Sequence, residues 1–174
     1  MTPRARVAGI GAIAVLAAVA HAPLGAVQRA GEPAEAWRTF EGSWSAVGRI
    51  QTVPTEGASA AVVQLSGVVS LKSGSNLGAG FHGEAIAYED GSSASAGRAS
   101  WTDSRGDRVY SAFKGEPLQT GRRVVGTITG GTGRYAGVVG DYELTWQYVV
   151  SADDGVVQGR AADLRGRFRT GGGR

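Results

Sequence analysis

A chain of 174 residues with a formal net charge of +3 is sized for one domain. It contains no cysteine, which excludes disulfides, thiolate metal sites and a lipid anchor on cysteine. Its 29 glycines are spread along the whole length and argue against long helices.

The N-terminus reads as an export leader. Arg4 and Arg6 give a positive start, and residues 7–20 (VAGIGAIAVLAAVA) form an uncharged, mostly apolar run. That run is short of the about 20 residues a membrane span takes. Ala18-Val19-Ala20 and Leu24-Gly25-Ala26 each fit a small-residue cleavage site, so 1–26 is assigned as a signal peptide and the mature protein as periplasmic or secreted. Loss of Arg4 and Arg6 lowers the net charge from +3 to +1, because all 15 acidic residues come later. Residues 27–40 are polar around Pro33 and read as a linker or arm.

From 41 to 170 the pattern is short alternating runs separated by turn residues, as in an all-β sandwich or barrel. Eight strands are predicted, over about 43–53, 60–72, 77–88, 96–103, 107–114, 122–130, 138–150 and 156–169. Asp90-Gly91 and Asp154-Gly155 suit tight turns, because both residue types tolerate positive φ. Ser104-Arg105-Gly106 closes another hairpin, with Asp103 and Asp107 in turn or rim roles, and Pro117 and Gly121 bracket a looser loop. Connections this short make neighbouring strands antiparallel. Eight such strands close into a barrel without exposed edges, whose interior is filled by side chains or holds one small ligand.

Alternation sorts the faces. Trp44, Ala46, Gly48 and Ile50 are expected inside, as are Ala61, Val63, Leu65, Val69 and Leu71. Strand seven offers Tyr142, Leu144, Trp146, Tyr148 and Val150. A loop at Asp90-Gly91 sets Glu84 opposite Arg98 on the outer face, with His82 and Tyr88. The next hairpin sets Trp101 opposite Val109, turning Ser111 and Phe113 inward and Tyr110 and Lys114 outward. For the last hairpin a five-residue loop at 151–155 gives the best apolar matches. It pairs Val150 with Val156, Trp146 with Arg160, Leu144 with Ala162 and Tyr142 with Leu164, and it turns Phe168 inward. A slip of one residue would exchange the faces of strand eight.

Several chemistries are not supported. The loop GGTGRYAG (130–137) lacks the lysine of a phosphate-binding P-loop, and its glycines are mis-spaced for a dinucleotide fingerprint and precede a strand. Gly130, Gly131, Thr132, Gly133 and Gly137 instead read as a structural turn with unusual backbone angles. His82 and Glu84 lie two apart, but the only other histidine, His21, falls in the leader, so no metal site is expected. Arg165, Arg167, Arg169 and Arg174 read as a solvated face and tail. No cofactor, no nucleic-acid partner and, after leader removal, no membrane partner is expected.

The segment GTITGGTGRYAGVVG (126–140) resembles the signature shared by plant allene oxide cyclases, dirigent proteins and bacterial proteins with the same barrel. The matching residues are Ile128, Gly130, Gly131, Thr132, Gly133, Tyr135, Gly137 and Gly140. The resemblance is close over about 15 residues and looser, through strand count and order, over about 40–170. It implies an eight-stranded antiparallel calycin-like barrel, often assembled as a homotrimer, that acts on or orients small hydrophobic molecules inside. The family's catalytic residues do not map onto this chain, so the catalytic residues stay unknown.

The constellation best suited to a ligand is Trp101, Ser111, Tyr142, Trp146, Tyr148 and Arg160, aromatic walls with a few polar groups. Arginine there would hold a carboxylate or a developing negative charge; the alternative is a filled core with Arg160 stacked on Trp146 at a barrel mouth. Three functions stay open. The first is a module binding a small hydrophobic or aromatic molecule. The second is a cyclase or isomerase that shapes a reactive substrate, and the third a structural oligomeric envelope protein.

Overall fold

The computed structural model of the protein describes residues 36–171 except 57, 73, 74, 76, 92 and 93. The expected leader, 1–26, and Arg174 of the expected arginine tail lie outside the described residues. Eight strands follow in order: β1 (Arg38–Thr55), β2 (Ala58–Leu71), β3 (Gly80–Glu89), β4 (Ser95–Thr102), β5 (Arg108–Pro117), β6 (Arg122–Gly131), β7 (Val138–Ser151) and β8 (Val156–Thr170). Each pairs antiparallel with the next, and β8 returns to β1, closing the barrel. Closure leaves no strand edge open to another chain. β1 starts five residues before the expected position 43, because Arg38 to Gly42 extend the ladder against Leu164 to Phe168.

The inward faces follow the alternation. Ala46, Val63, Leu65, Val69, Trp101, Val109, Tyr142, Leu144 and Trp146 are all buried in one core. Trp101 pairs with Val109 as expected. Glu84 lies opposite Ser100 and Ile86 opposite Arg98, a shift of two residues that preserves the face. Glu84 consequently neighbours His82 (3.9 Å) rather than Arg98, and both stay in solvent. The outer wall is less polar than expected: Val47, Val68, Ile86 and Tyr88 are each more than half exposed on β1–β3.

The last hairpin departs from the expected register. Its turn is tighter, with the Ala152 N–H donating to the Val156 carbonyl (2.9 Å). Val149 bulges out of the ladder between the pairs Tyr148–Gly159 and Val150–Gln158, which turns Val150 outward. A second irregularity in β8 puts Ala162 and Asp163 opposite Ser43 alone. Before it, Val157, Gly159 and Ala161 face inward; after it, Leu164 and Phe168 do. Asp163 fixes this bulge. Its carboxylate accepts both the N–H and the hydroxyl of Thr145, each at 2.8 Å, in place of ladder bonds. Partial burial works against its charge, but the two Thr145 donors outweigh it and hold the carboxyl below its usual range. The expected pairs Leu144–Ala162, Tyr142–Leu164 and Trp146–Arg160 therefore do not form; Tyr142 pairs with Gly166 and Arg160 with Gln147.

The two barrel ends differ. One is packed solid by Phe40, Leu77, Phe81, Tyr135 and Phe168, with Phe81 5.8 Å from Tyr135 and 6.1 Å from Trp101 between ring centres. The loop 130–137 closes this end through a single 3-10 turn, Gly133–Tyr135. Gly133 is required there: its φ is +53°, and a Cβ would lie 1.8 Å from the Asp107 carboxylate.

Asp103 ties the closed end together. Its side chain accepts backbone N–H groups from Arg105 (2.8 Å) and Asp107 (3.0 Å) and the Tyr135 hydroxyl (3.2 Å), and it pairs with the Arg134 guanidinium (2.8 Å). Burial alone would raise its pKa; the backbone donors and Arg134 outweigh that and hold it below 3.8. Burial pushes the Tyr135 phenol up to about 12, so it stays a neutral donor. A carboxyl depressed by folding stabilises the barrel above its unfolded pKa, and that contribution is lost as pH falls through the lower folded value. Asp103→Asn is therefore expected to be less stable than wild type near pH 7, with the gap closing below about pH 4. Urea unfolding of both proteins over this range checks it; a gap that stays constant with pH would contradict the assignment.

Candidate functional site

The opposite half of the barrel is not full. A cavity of about 60 Å³, counted as room for the centres of water-sized molecules, runs from the barrel middle toward the hairpin end. One water needs roughly 10–15 Å³ by this measure, so there is space for roughly four, or for a ligand head group of similar size. The walls are mainly Trp44, Val63, Leu65, Trp101, Phe113, Tyr142, Leu144, Trp146 and Leu164.

Three strands bring these aromatic rings together. Trp44 on β1 and Trp146 on β7 lie 4.8 Å apart between ring centres, and Trp101 on β4 lies 5.2 Å from Tyr142. Their closeness depends on small neighbours. Gly159 faces inward beside Trp146, and a Cβ there would stand 2.3 Å from the indole. Gly126, opposite Tyr142 in register, leaves room for the phenol ring in the same way.

Polar groups are few and specific. The Ser111 and Tyr142 hydroxyls share a buried hydrogen bond of 3.0 Å. Burial drives the Tyr142 phenol up to about 12, although the Ser111 bond works the other way, so it remains protonated at neutral pH. The indole nitrogens of Trp44 and Trp146 are sealed from solvent; Trp146 has the Tyr148 hydroxyl as its neighbouring acceptor, while Trp44 has no hydrogen-bond partner among the described residues. A buried donor left unpaired costs about 1–3 kcal/mol. At the mouth, Arg122 on β6 bonds Glu89 on β3 at 2.8 Å, with both side chains about four-fifths buried. Ser95 and Tyr148 stand beside them. Burial, then the nearby Glu89 charge, pushes the Tyr148 phenol upward.

Of the six residues expected at a ligand site, Trp101, Tyr142 and Trp146 line the cavity, and Ser111 reaches it through Tyr142. Tyr148 sits at the rim, 36% exposed, rather than deep inside. Arg160 is outside. The bulges in β7 and β8 pair it with Gln147 and give the inward place next to Trp146 to Gly159, so it neither stacks on Trp146 nor reaches the lumen. Glu89, Arg122 and Ser95 were missed as site residues, yet their signal is present: Glu89 is in phase with inward Ala85 and Ala87, and Arg122 with inward Val124 and Ile128.

Arg165, Arg167 and Arg169 of β8 have close neighbours on the outer wall. Arg165 bonds Glu143 (2.7 Å) and Arg167 bonds Asp141 (2.8 Å), while Arg167 and Arg169 flank the exposed Trp37 ring. Exposed pairs of this kind contribute about 0–1 kcal/mol each.

No protein-family model and no curated protein matches the chain. A solved structure of a pterocarpan synthase dirigent protein is similar: 12% of residues are identical, 81% of this chain and 94% of that one are covered, and the TM-score is 0.48. The closed eight-stranded antiparallel barrel stands on the pairing of this chain's own strands.

Proposed function

We propose that this barrel binds a small, largely apolar, aromatic molecule in its lumen, admitted at the end where Glu89 and Arg122 meet. The observation that carries the reading is the unfilled space beside Trp44, Trp101, Tyr142 and Trp146, while the other end of the same barrel is packed solid. A purely structural barrel gains nothing from leaving that space, since unfilled volume forfeits dispersion contacts. The resemblance of residues 126–140 to the allene oxide cyclase and dirigent signature points the same way. Export belongs to the same proposal and rests on the leader-like segment 1–26.

Turnover of the bound molecule has less support. Ser111 is partnered by a phenol rather than by a base, and that phenol holds its proton. Binding with orientation, by shape and a few hydrogen bonds, is what the walls supply.

Native mass spectrometry and thermal-shift screening with phenolics, aryl ketones and fatty acids test the reading. A ligand at one hundred times its Kd is expected to add about 2.7 kcal/mol of stability. Absence of saturable binding by any small aromatic would count against it.

A further inference from the structure

We infer, resting on that reading, that Glu89 and Ser95, with Arg122 balancing the charge, form a head-group site at the mouth for a neutral group that both donates and accepts hydrogen bonds, such as a primary carboxamide. Glu89 ends β3 and Ser95 begins β4; the two are partners in register, and both line the cavity. Arg122 occupies Glu89 Oε2, and Oε1 has no partner among the described residues. Ser95 is 7% exposed, and its hydroxyl has no partner among those residues either. Unlike the indole nitrogens, neither oxygen is sealed. Gly115 on β5 makes the room: a Cβ there would stand 2.3 Å from Ser95 Oγ and 3.8 Å from Arg122 Cδ, so its bare backbone lets both side chains lie over it.

Charge sets the class of head group. A carboxylate at this place meets the open oxygen of Glu89, and a cation meets Arg122, in each case beside side chains about four-fifths buried, where lost hydration is not repaid. A primary amide donates its N–H to Glu89 and takes the Ser95 hydroxyl on its oxygen, leaving the ion pair intact. A ketone satisfies Ser95 and offers Glu89 nothing. Behind the mouth the aliphatic and aromatic walls take the ring, which holds the ligand ring-inward and head-outward.

Benzamide, benzoate and benzamidinium share one shape and differ in charge; acetophenone has the acceptor without the donor, and toluene has the ring without the head. By isothermal titration of the full chain, benzamide is expected to bind at least about tenfold more tightly than acetophenone, benzoate or benzamidinium. The charge preference should follow the mouth: Arg122→Gln is expected to favour benzamidinium over benzamide, and Glu89→Gln to favour benzoate. Ser95→Ala should weaken benzamide by roughly fivefold and leave toluene unchanged. If the glutamine variants do not fold, the wild-type ranking and Ser95→Ala decide. Acetophenone as tight as benzamide, or a charged probe tighter than benzamide in the wild type, would overturn this inference, while toluene binding in the lumen would leave the underlying reading standing. A ranking unmoved by the substitutions would overturn it as well. Binding of none of the five would remove the underlying reading and this inference with it.

Discussion

Trp101→Ala is expected to destabilise the barrel by about 3–5 kcal/mol, the usual cost of removing a large aromatic from a core. Trp101 is 5% exposed and stands where the packed half meets the open half. Its ring lies 6.1 Å from both Phe40 and Phe81 and 5.2 Å from Tyr142. Its loss would join a new void to the existing cavity, and a closed ring of eight paired strands has little freedom to collapse around it. Against the 5–15 kcal/mol that holds a typical domain together, roughly that loss would leave the variant marginal. Trp37 gives the contrast: 46% exposed and flanked by Arg167 and Arg169, its truncation is expected to cost under about 1 kcal/mol. Urea midpoints of the two variants check the pair. Equal small losses would mean that the aromatic cluster is not the core.

Gly126→Ala is expected to act on the lumen itself. A Cβ at this position would stand 2.1–2.6 Å from three atoms of the Tyr142 ring. The ring cannot simply swing aside, because its hydroxyl is tied to Ser111. Relief therefore breaks that bond and drives the phenol into the cavity. Overpacking of this kind typically costs about 1–3 kcal/mol. The functional effect should be larger than the stability effect: the space beside Trp146 closes, and binding of the best ligand from the screen drops by an order of magnitude or more, by rough analogy with lost lumen contacts. Isothermal titration of the folded variant reads it. Unchanged affinity with unchanged stability would mean that the ligand sits elsewhere.

How much of this could be read from the chain depends on what sets each feature. Strand number, order and closure were legible because alternation and turn chemistry are local: Asp90-Gly91 and Asp154-Gly155 each end a strand, with Gly91 at φ +75° and Gly155 at φ +81°. The Trp101–Val109 hairpin was legible for the same reason. The last hairpin was not, since bulges at Val149 and at Ala162-Asp163 each insert a residue. The clip that fixes the second, Asp163 on Thr145, joins residues 18 apart and leaves no mark in the alternation. That is why Arg160 was expected inside and stands outside. The mouth pair was hidden for a different reason. Glu89 and Arg122 each look like strand-end charges; their meeting follows only from the barrel curving β3 and β6 toward each other across its end.

The signature segment and the cavity lie at opposite ends of the barrel. Residues 130–137 close the barrel through Tyr135 and the Asp103–Arg134 pair, and none of them lines the cavity.

The claim on which the rest stands is that the lumen beside the two indoles is a real, apolar, reachable space. A crystal pressurised with xenon tests it without assuming any ligand, because such cavities take up xenon when they are dry and open to it. The account predicts a xenon site inside the barrel, in contact with Trp44, Leu144 and Trp146. Xenon found only on the outer wall beside Val68 and Ile86, with the lumen closed by side chains, would contradict it.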